Sequence, residues 1–182
     1  MTTYQIHTLE SAPVDSKPVL QEIVKAFGFI PNIAGAMAES PVLISSFIGV
    51  FTKAHSGTFG EAEVQILLLT NAVTNACTWA VAFHTFLALQ QGVSDSDVQA
   101  IREGRLPTGA KHAALSSVAK TLIETRGHIS DELLAKFIGA GYTKAQVLEL
   151  INVVAASTIT NYVGSVTKPP LEPQFQQYAW HA

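Results

Sequence analysis

Apolar positions along this chain fall into a succession of helical segments, and no segment sustains the alternation of a half-buried strand. Pro18 suits the first turn of a helix running to about Phe27, because its missing N–H would be unpaired there anyway. Gly28 and Pro31 punctuate, and a short helix through Ala34, Gly35, Ala36 and Met37 follows. Ser40-Pro41 starts another, ending near Ser56-Gly57. Gly60 precedes a long apolar stretch that divides near Asn75, a residue suited to capping the second half, and Gly92 closes it. Three later junctions share one grammar: Gly92-Val-Ser-Asp, Gly127-His-Ile-Ser-Asp and Gly141-Tyr-Thr-Lys. Each offers a glycine to end one helix in the left-handed conformation and a hydroxyl to cap the next, which places helices near 95–103, 109–126, 131–140 and 143–162.

The expected fold is therefore all-α and a single domain over 1–182, with an irregular segment over 1–16 and an extended arm over 164–182. The arm carries three prolines and three aromatics in "KPPLEPQFQQYAW" and is expected to pack on a surface. The last helix is apolar around most of its circumference, as in a core or a subunit interface.

Composition sharpens that picture. Apolar residues make up 48% of the chain and charged ones 14%, against about 25% in an ordinary soluble domain. So little charge leaves apolar surface to be covered by another subunit, and a homo-oligomer is expected. A net charge of −3 provides no basic footprint for nucleic acid. One cysteine makes no internal disulfide and no charged-then-apolar leader opens the chain, so the expected location is cytoplasmic. From Val64 to Ser94 there is no charged residue, a length that suggests a membrane span. Gln65, Asn71, Asn75, His84, Gln90 and Gln91 make that reading costly in lipid, and a buried helix pair is expected instead.

Candidate chemistry centres on "NACTWAVAFH", which holds the only cysteine. With Asn75 as cap, Cys77 falls in the first turn of the helix, where the dipole favours a thiolate. His84 lies two turns on along the same face, about 10 Å away by helical rise. Read from residue types alone, Cys77 is equally a small core hydrophobe and His84 a hydrogen-bonded core histidine. Glu61 and Glu63 open the preceding helix, where carboxylates suit its dipole; Glu63, Gln65 and Asn71 are alternatively placed to face His84 across the hairpin. The other histidines, His55 among them, show no metal-ligand spacing, and there is no phosphate-binding glycine loop, so neither metal nor cofactor is expected.

These residues carry a resemblance. The stretch 61–92, "EAEVQILLLTNAVTNACTWAVAFHTFLALQQG", resembles the core of the carboxymuconolactone decarboxylase / alkyl hydroperoxidase D (AhpD-like) superfamily: a glutamate, eleven residues, then Cys-x-x-Cys-x-x-x-His. Upstream, "IPNIAGAMAESPVL" resembles that family's Pro-Asn segment; downstream, "GVSDSDVQAIREG" and "GYTKAQVLELI" resemble its peroxidase-related branch. The likeness covers about residues 28–180. It implies an AhpD-like bundle of helical hairpins that assembles as dimers, trimers or hexamers. It also implies a chemistry in which the second cysteine attacks peroxide, the first resolves it as a disulfide, and the histidine and glutamate relay protons. Cys77 falls at the first cysteine and His84 at the histidine, while Ala80 stands at the attacking cysteine and Gln65 at the glutamate. An amide cannot exchange a proton as a carboxylate does. Glu63, two residues away, is displaced by about 200° around a helix.

Three functions stay open at this point. One is a peroxidase-related oxidoreductase with an impaired dithiol site, working through Cys77 as a single thiol on a small hydroperoxide, with His84 assisting. The second is acid–base lyase or decarboxylase chemistry on a small organic acid, with His84 as acid or base and Gln65, Asn71 or Glu63 orienting the ligand. The third is a non-catalytic oligomeric scaffold or ligand-binding protein.

Overall fold

The computed structural model describes residues 4–181; residues 1–3 of the expected irregular segment and residue 182 of the expected arm lie outside them. After a 3-10 turn at Val14–Ser16 come α1 (Lys17–Phe27), α2 (Asn32–Met37), α3 (Pro41–Ala54), α4 (Glu61–Thr74), α5 (Thr78–Gln90) and α6 (Asp95–Arg102). Then follow α7 (Ala110–Glu124), α8 (Asp131–Gly139), α9 (Lys144–Thr167) and a 3-10 turn at Pro173–Tyr178. Among the described residues there is no strand, and the fold is all-α. The capping grammar operates as read. Ser40, Ser94 and Ser130 accept the backbone N–H groups of Leu43, Asp97 and Leu133. Thr143 and Gln146 form a reciprocal capping box at the start of α9.

Helix α4 occupies the centre. Every residue from Val64 to Ala72 is buried, because α5, α6, α7 and α9 surround it. This explains the uncharged stretch: it is two helices of 14 and 13 residues, each too short to span a bilayer core of about 30 Å. Helix α9, with 24 residues, is long and apolar enough by length and composition to cross a membrane. One face of it, including Leu150, Val153, Ala156 and Asn161, is buried in the fold. Its other face leaves Leu148, Ile151, Tyr162 and Val166 exposed.

Three expectations need correction. Helix α3 ends at Ala54 rather than near 56–57, and α9 continues to Thr167, so the C-terminal arm starts at Lys168 rather than 164. The arm is not purely extended, and it packs on its own chain. Its Phe175 ring lies 5.3 Å from the rings of Phe83 and Phe86 on α5. Arg102 donates to the carbonyls of Tyr178 and Ala179, and the Trp180 indole donates back to the Arg102 carbonyl.

The third correction concerns the hairpin turn. Asn75 does not cap α5; it is the C-terminal cap of α4, with its side chain donating to the Asn71 carbonyl. Ala76 adopts the left-handed conformation with φ 51°, its N–H bonds to the Val73 carbonyl, and the Cys77 N–H bonds to the Ala72 carbonyl. Those two bonds and the positive φ make a Schellman motif, a helix ending that ordinarily takes glycine where Ala76 stands. Cys77 itself is the N-cap of α5.

Candidate active site

Two helices bring His84 and Gln65 together at the centre of the molecule. On α5, His84 is 5% exposed, and its Nδ1 lies 3.0 Å from Oε1 of Gln65 on α4. A side-chain amide oxygen only accepts, so Nδ1 carries the hydrogen and Nε2 keeps its lone pair. Burial, reinforced by the nearby charge of His55, pushes the His84 pKa down to about 3. The imidazole is thus neutral and held in one tautomer.

That ring lines an aromatic cavity of about 50 Å³, walled by Ile23, Phe27, Phe47, Phe51, Trp79 and Phe83. Thr160 of α9 is the other polar residue in the wall, and its hydroxyl donates to the Ala156 carbonyl. The polar atoms left to the cavity are therefore acceptors: Nε2 of His84 and the lone pairs of the Thr160 oxygen. By volume the space holds a few water-sized groups, since one water needs about 10–15 Å³ on the same measure.

Cys77 is not part of this cavity. Its side chain is 2% exposed and lines a different pocket, of about 430 Å³, with Thr78, Trp79, Gly164 and Lys168. Trp79 borders both spaces. The expectation of a thiolate in a first helical turn is overturned. Burial pushes the Cys77 thiol up, and the amides of Ala80 and Trp79, which act the other way, do not offset it. Ala80 is fully buried one turn into α5, so no sulfur stands where the resemblance puts the attacking one.

Glu63 does not face His84. It accepts from the Gly60 N–H at the start of α4, from the Tyr142 hydroxyl at 3.0 Å, and from Lys111 at 2.9 Å. These bonds hold its carboxyl below the usual range against the desolvation that raises it. The physical reason is the one helical geometry supplies: Glu63 and Gln65 point to different sides of α4. Asn71 is fully buried, with neither amide atom hydrogen-bonded, and it does not join the cavity wall.

Two residues escaped the sequence reading. His55, at the C-cap of α3, places Nδ1 3.1 Å from Glu61, and its Nε2 is buried with no partner. Glu172, in the arm, is 6% exposed and spans two elements, accepting from the Asn32 N–H at 2.6 Å and the Trp79 indole at 3.0 Å. No local pattern signals either one, since both act through partners set by the tertiary fold. Among the described residues no group of three or more His, Cys, Asp or Glu side chains is arranged to hold a metal.

No family model matches the chain, and comparison with curated proteins finds no match. Solved structures do match. The AhpD core of an uncharacterized peroxidase-related protein from Ralstonia eutropha JMP134 is 14% identical, with 94% of this chain and 93% of that one covered and a TM-score of 0.83. The debrominase Bmp8 is 16% identical, over 98% of this chain and 96% of that one, at a TM-score of 0.80. An uncharacterized peroxidase-related protein from Silicibacter sp. TM1040 is 16% identical, over 96% and 97%, at 0.73. At 14–16% identity these likenesses are of fold, spanning nearly the whole chain. This protein has the AhpD-like helical fold.

Proposed function

We propose that this chain binds a small uncharged molecule, one with an apolar body and a single O–H or N–H donor, in the His84 cavity, and that it does not run a dithiol cycle. The observation that carries this reading is the wall itself: aromatic faces on most sides, with only acceptors among its polar atoms. A carboxylate ligand would bring a charge into apolar surroundings with no cation to meet it. This weighs against the organic-acid reading. A small alcohol, hydroperoxide or azole suits the wall. One variant of Bmp8, a cysteine-to-alanine substitution, was crystallised with 2,3,4-tribromopyrrole, whose ring N–H has the required chemistry, although the ring with its bromines is larger than this cavity.

The test pairs pyrrole with furan, a ring of equal size that lacks the donor, and reads binding through Trp79 fluorescence. Native protein should prefer pyrrole by about three- to tenfold, the worth of one hydrogen bond, and His84→Leu should erase the preference. Failure of both probes to bind, or a preference that survives the substitution, overturns the proposal.

A second reading has one observation behind it. Cys77 stands at the N-terminus of α5 beside a pocket that Lys168 also lines, which is where single-thiol chemistry would sit. Hydroperoxide reduction by the native chain and by Ala80→Cys separates the cases. Activity in the variant alone marks a dithiol site that lacks its attacking sulfur, whereas activity in both means that Cys77 suffices. The exposed apolar face of α9 supports assembly with further copies of the chain, which sedimentation analysis tests.

A further inference from the structure

Among the buried polar atoms without partners, His55 Nε2 is the one able to take up a proton; the others belong to the neutral amides of Asn71 and Asn161. Glu61 accepts at Nδ1 of His55, with its two oxygens 3.1 and 3.3 Å away. A carboxylate only accepts, so Nδ1 bears the hydrogen and the buried Nε2 keeps its lone pair. The ring packs 4.4 Å from Phe51, whose other neighbours line the cavity.

Glu61 and Gln65 are four residues apart on α4, so they leave the same face one turn apart, roughly 5–6 Å. Each fixes a histidine through Nδ1: Gln65 holds His84 inside, and Glu61 holds His55 toward the surface. The Glu61 side chain is 46% exposed and that of His55 22%. Helix α4 thus carries two parallel imidazole pairs, an inner one that cannot exchange a proton through its amide and an outer one that can.

We propose that Glu61 and His55 form a proton-transfer pair serving the His84 cavity, with His55 Nε2 as the inner acceptor and Glu61 as the solvent-side outlet. The proposal rests on the cavity being the working site. A ligand O–H or an intervening water gives its proton to Nε2; the O–H bond breaks, its electron pair stays on oxygen, and an imidazolium forms. The Nδ1 proton then passes to the Glu61 carboxylate and on to water. One proton moves from cavity to solvent, and nothing is oxidised or reduced. The ionisable groups around His55 are Glu61 on α4, His84 on α5, Lys53 in the last turn of α3, and Glu149 of α9, which accepts from Thr58 in the same loop. The influence of His55 on His84 places the two rings within electrostatic reach.

The test is solvent exchange of the His84 Nδ1–H, followed by nitrogen-15 NMR on the full chain without ligand. His55→Gln and Glu61→Gln should each slow it about tenfold or more, as loss of a positioned acid–base group does, while backbone amide exchange in α4 stays unchanged. The ring nitrogen shifts of His55 should report hydrogen on Nδ1. Unchanged exchange in Glu61→Gln, which alters an exposed side chain and leaves the core intact, overturns the pair, as does hydrogen on His55 Nε2. Slowed exchange in a protein that binds neither pyrrole nor furan would remove the ligand reading and leave the relay standing.

Discussion

The sulfur of Cys77 occupies the space that a side chain on Gly164 would need. A methyl group on Gly164 would lie 2.6 Å from Cys77 Sγ and 3.3 Å from Ile33 Cδ1. Helix α9 can pass this close to the start of α5 only because Gly164 has no Cβ. Cys77 is therefore a packing residue before it is anything else.

Gly164→Ala is expected to destabilise the fold by about 1–3 kcal/mol through overpacking. Cys77→Ala removes the clashing sulfur, so the two substitutions should couple: the double variant is expected to be more stable than the sum of the singles implies. Urea unfolding of all four proteins measures the coupling. Strict additivity would show that the sulfur and the glycine do not meet.

The same contact bears on reactivity. A thiol that is 2% exposed, with its pKa raised by burial, has little thiolate at neutral pH and little access for a reagent. Native Cys77 is expected to react with an aromatic disulfide reagent at least about a hundredfold more slowly than the same residue in denaturant, where the ordinary thiol pKa of about 8.5 returns. Equal rates at pH 7 would revive single-thiol catalysis as the leading function.

Most of the fold was legible because its punctuation is local. Ser40, Ser94, Ser130 and Thr143 each cap the helix that follows through a bond to a residue three places on, and such bonds depend on nothing distant. The α4–α5 turn misled for an equally local reason. A Schellman ending is signalled by glycine, but here Ala76 takes the left-handed position, so Asn75 reads as the start of a helix when it closes one. In the site, the Gln65–His84 pairing followed from hairpin geometry. The separation of Cys77 from His84 did not, because it depends on Trp79 standing between two spaces and on Gly164 pressing from α9. His55 was invisible since its meaning comes from Glu61 across a loop.

Ala76 gives a stability prediction opposite in sign to that at Gly164. An L-residue with a Cβ in the left-handed region carries roughly 1 kcal/mol of strain, which glycine lacks, while glycine also gains freedom in the unfolded chain worth about 0.4–1 kcal/mol. Ala76→Gly is expected to be neutral to stabilising by up to about 1 kcal/mol, where a glycine in the body of α4 would destabilise by a similar amount. Thermal melts of the two variants compare them directly. A clear loss at position 76 would mean that the turn is not the Schellman ending.

His84 gives the pH prediction. Its folded pKa, about 3, lies below the ordinary 6.5. Between those values the unfolded chain binds a proton that the native chain refuses. The stability associated with this group is therefore complete above pH 6.5 and lost as the pH falls toward 3, with a slope of up to about 1.4 kcal/mol per pH unit. Gln65→Glu places a carboxylate where the amide now accepts from Nδ1, and an opposite charge at that distance raises a histidine pKa. The variant is expected to show a shallower acid slope than the native chain, and its His84 ring resonances should titrate at a higher pH. A native His84 that titrates near 6.5 would mean that water reaches the ring. The cavity would then be a wet cleft, and an acceptor-only apolar wall could no longer set the choice of ligand.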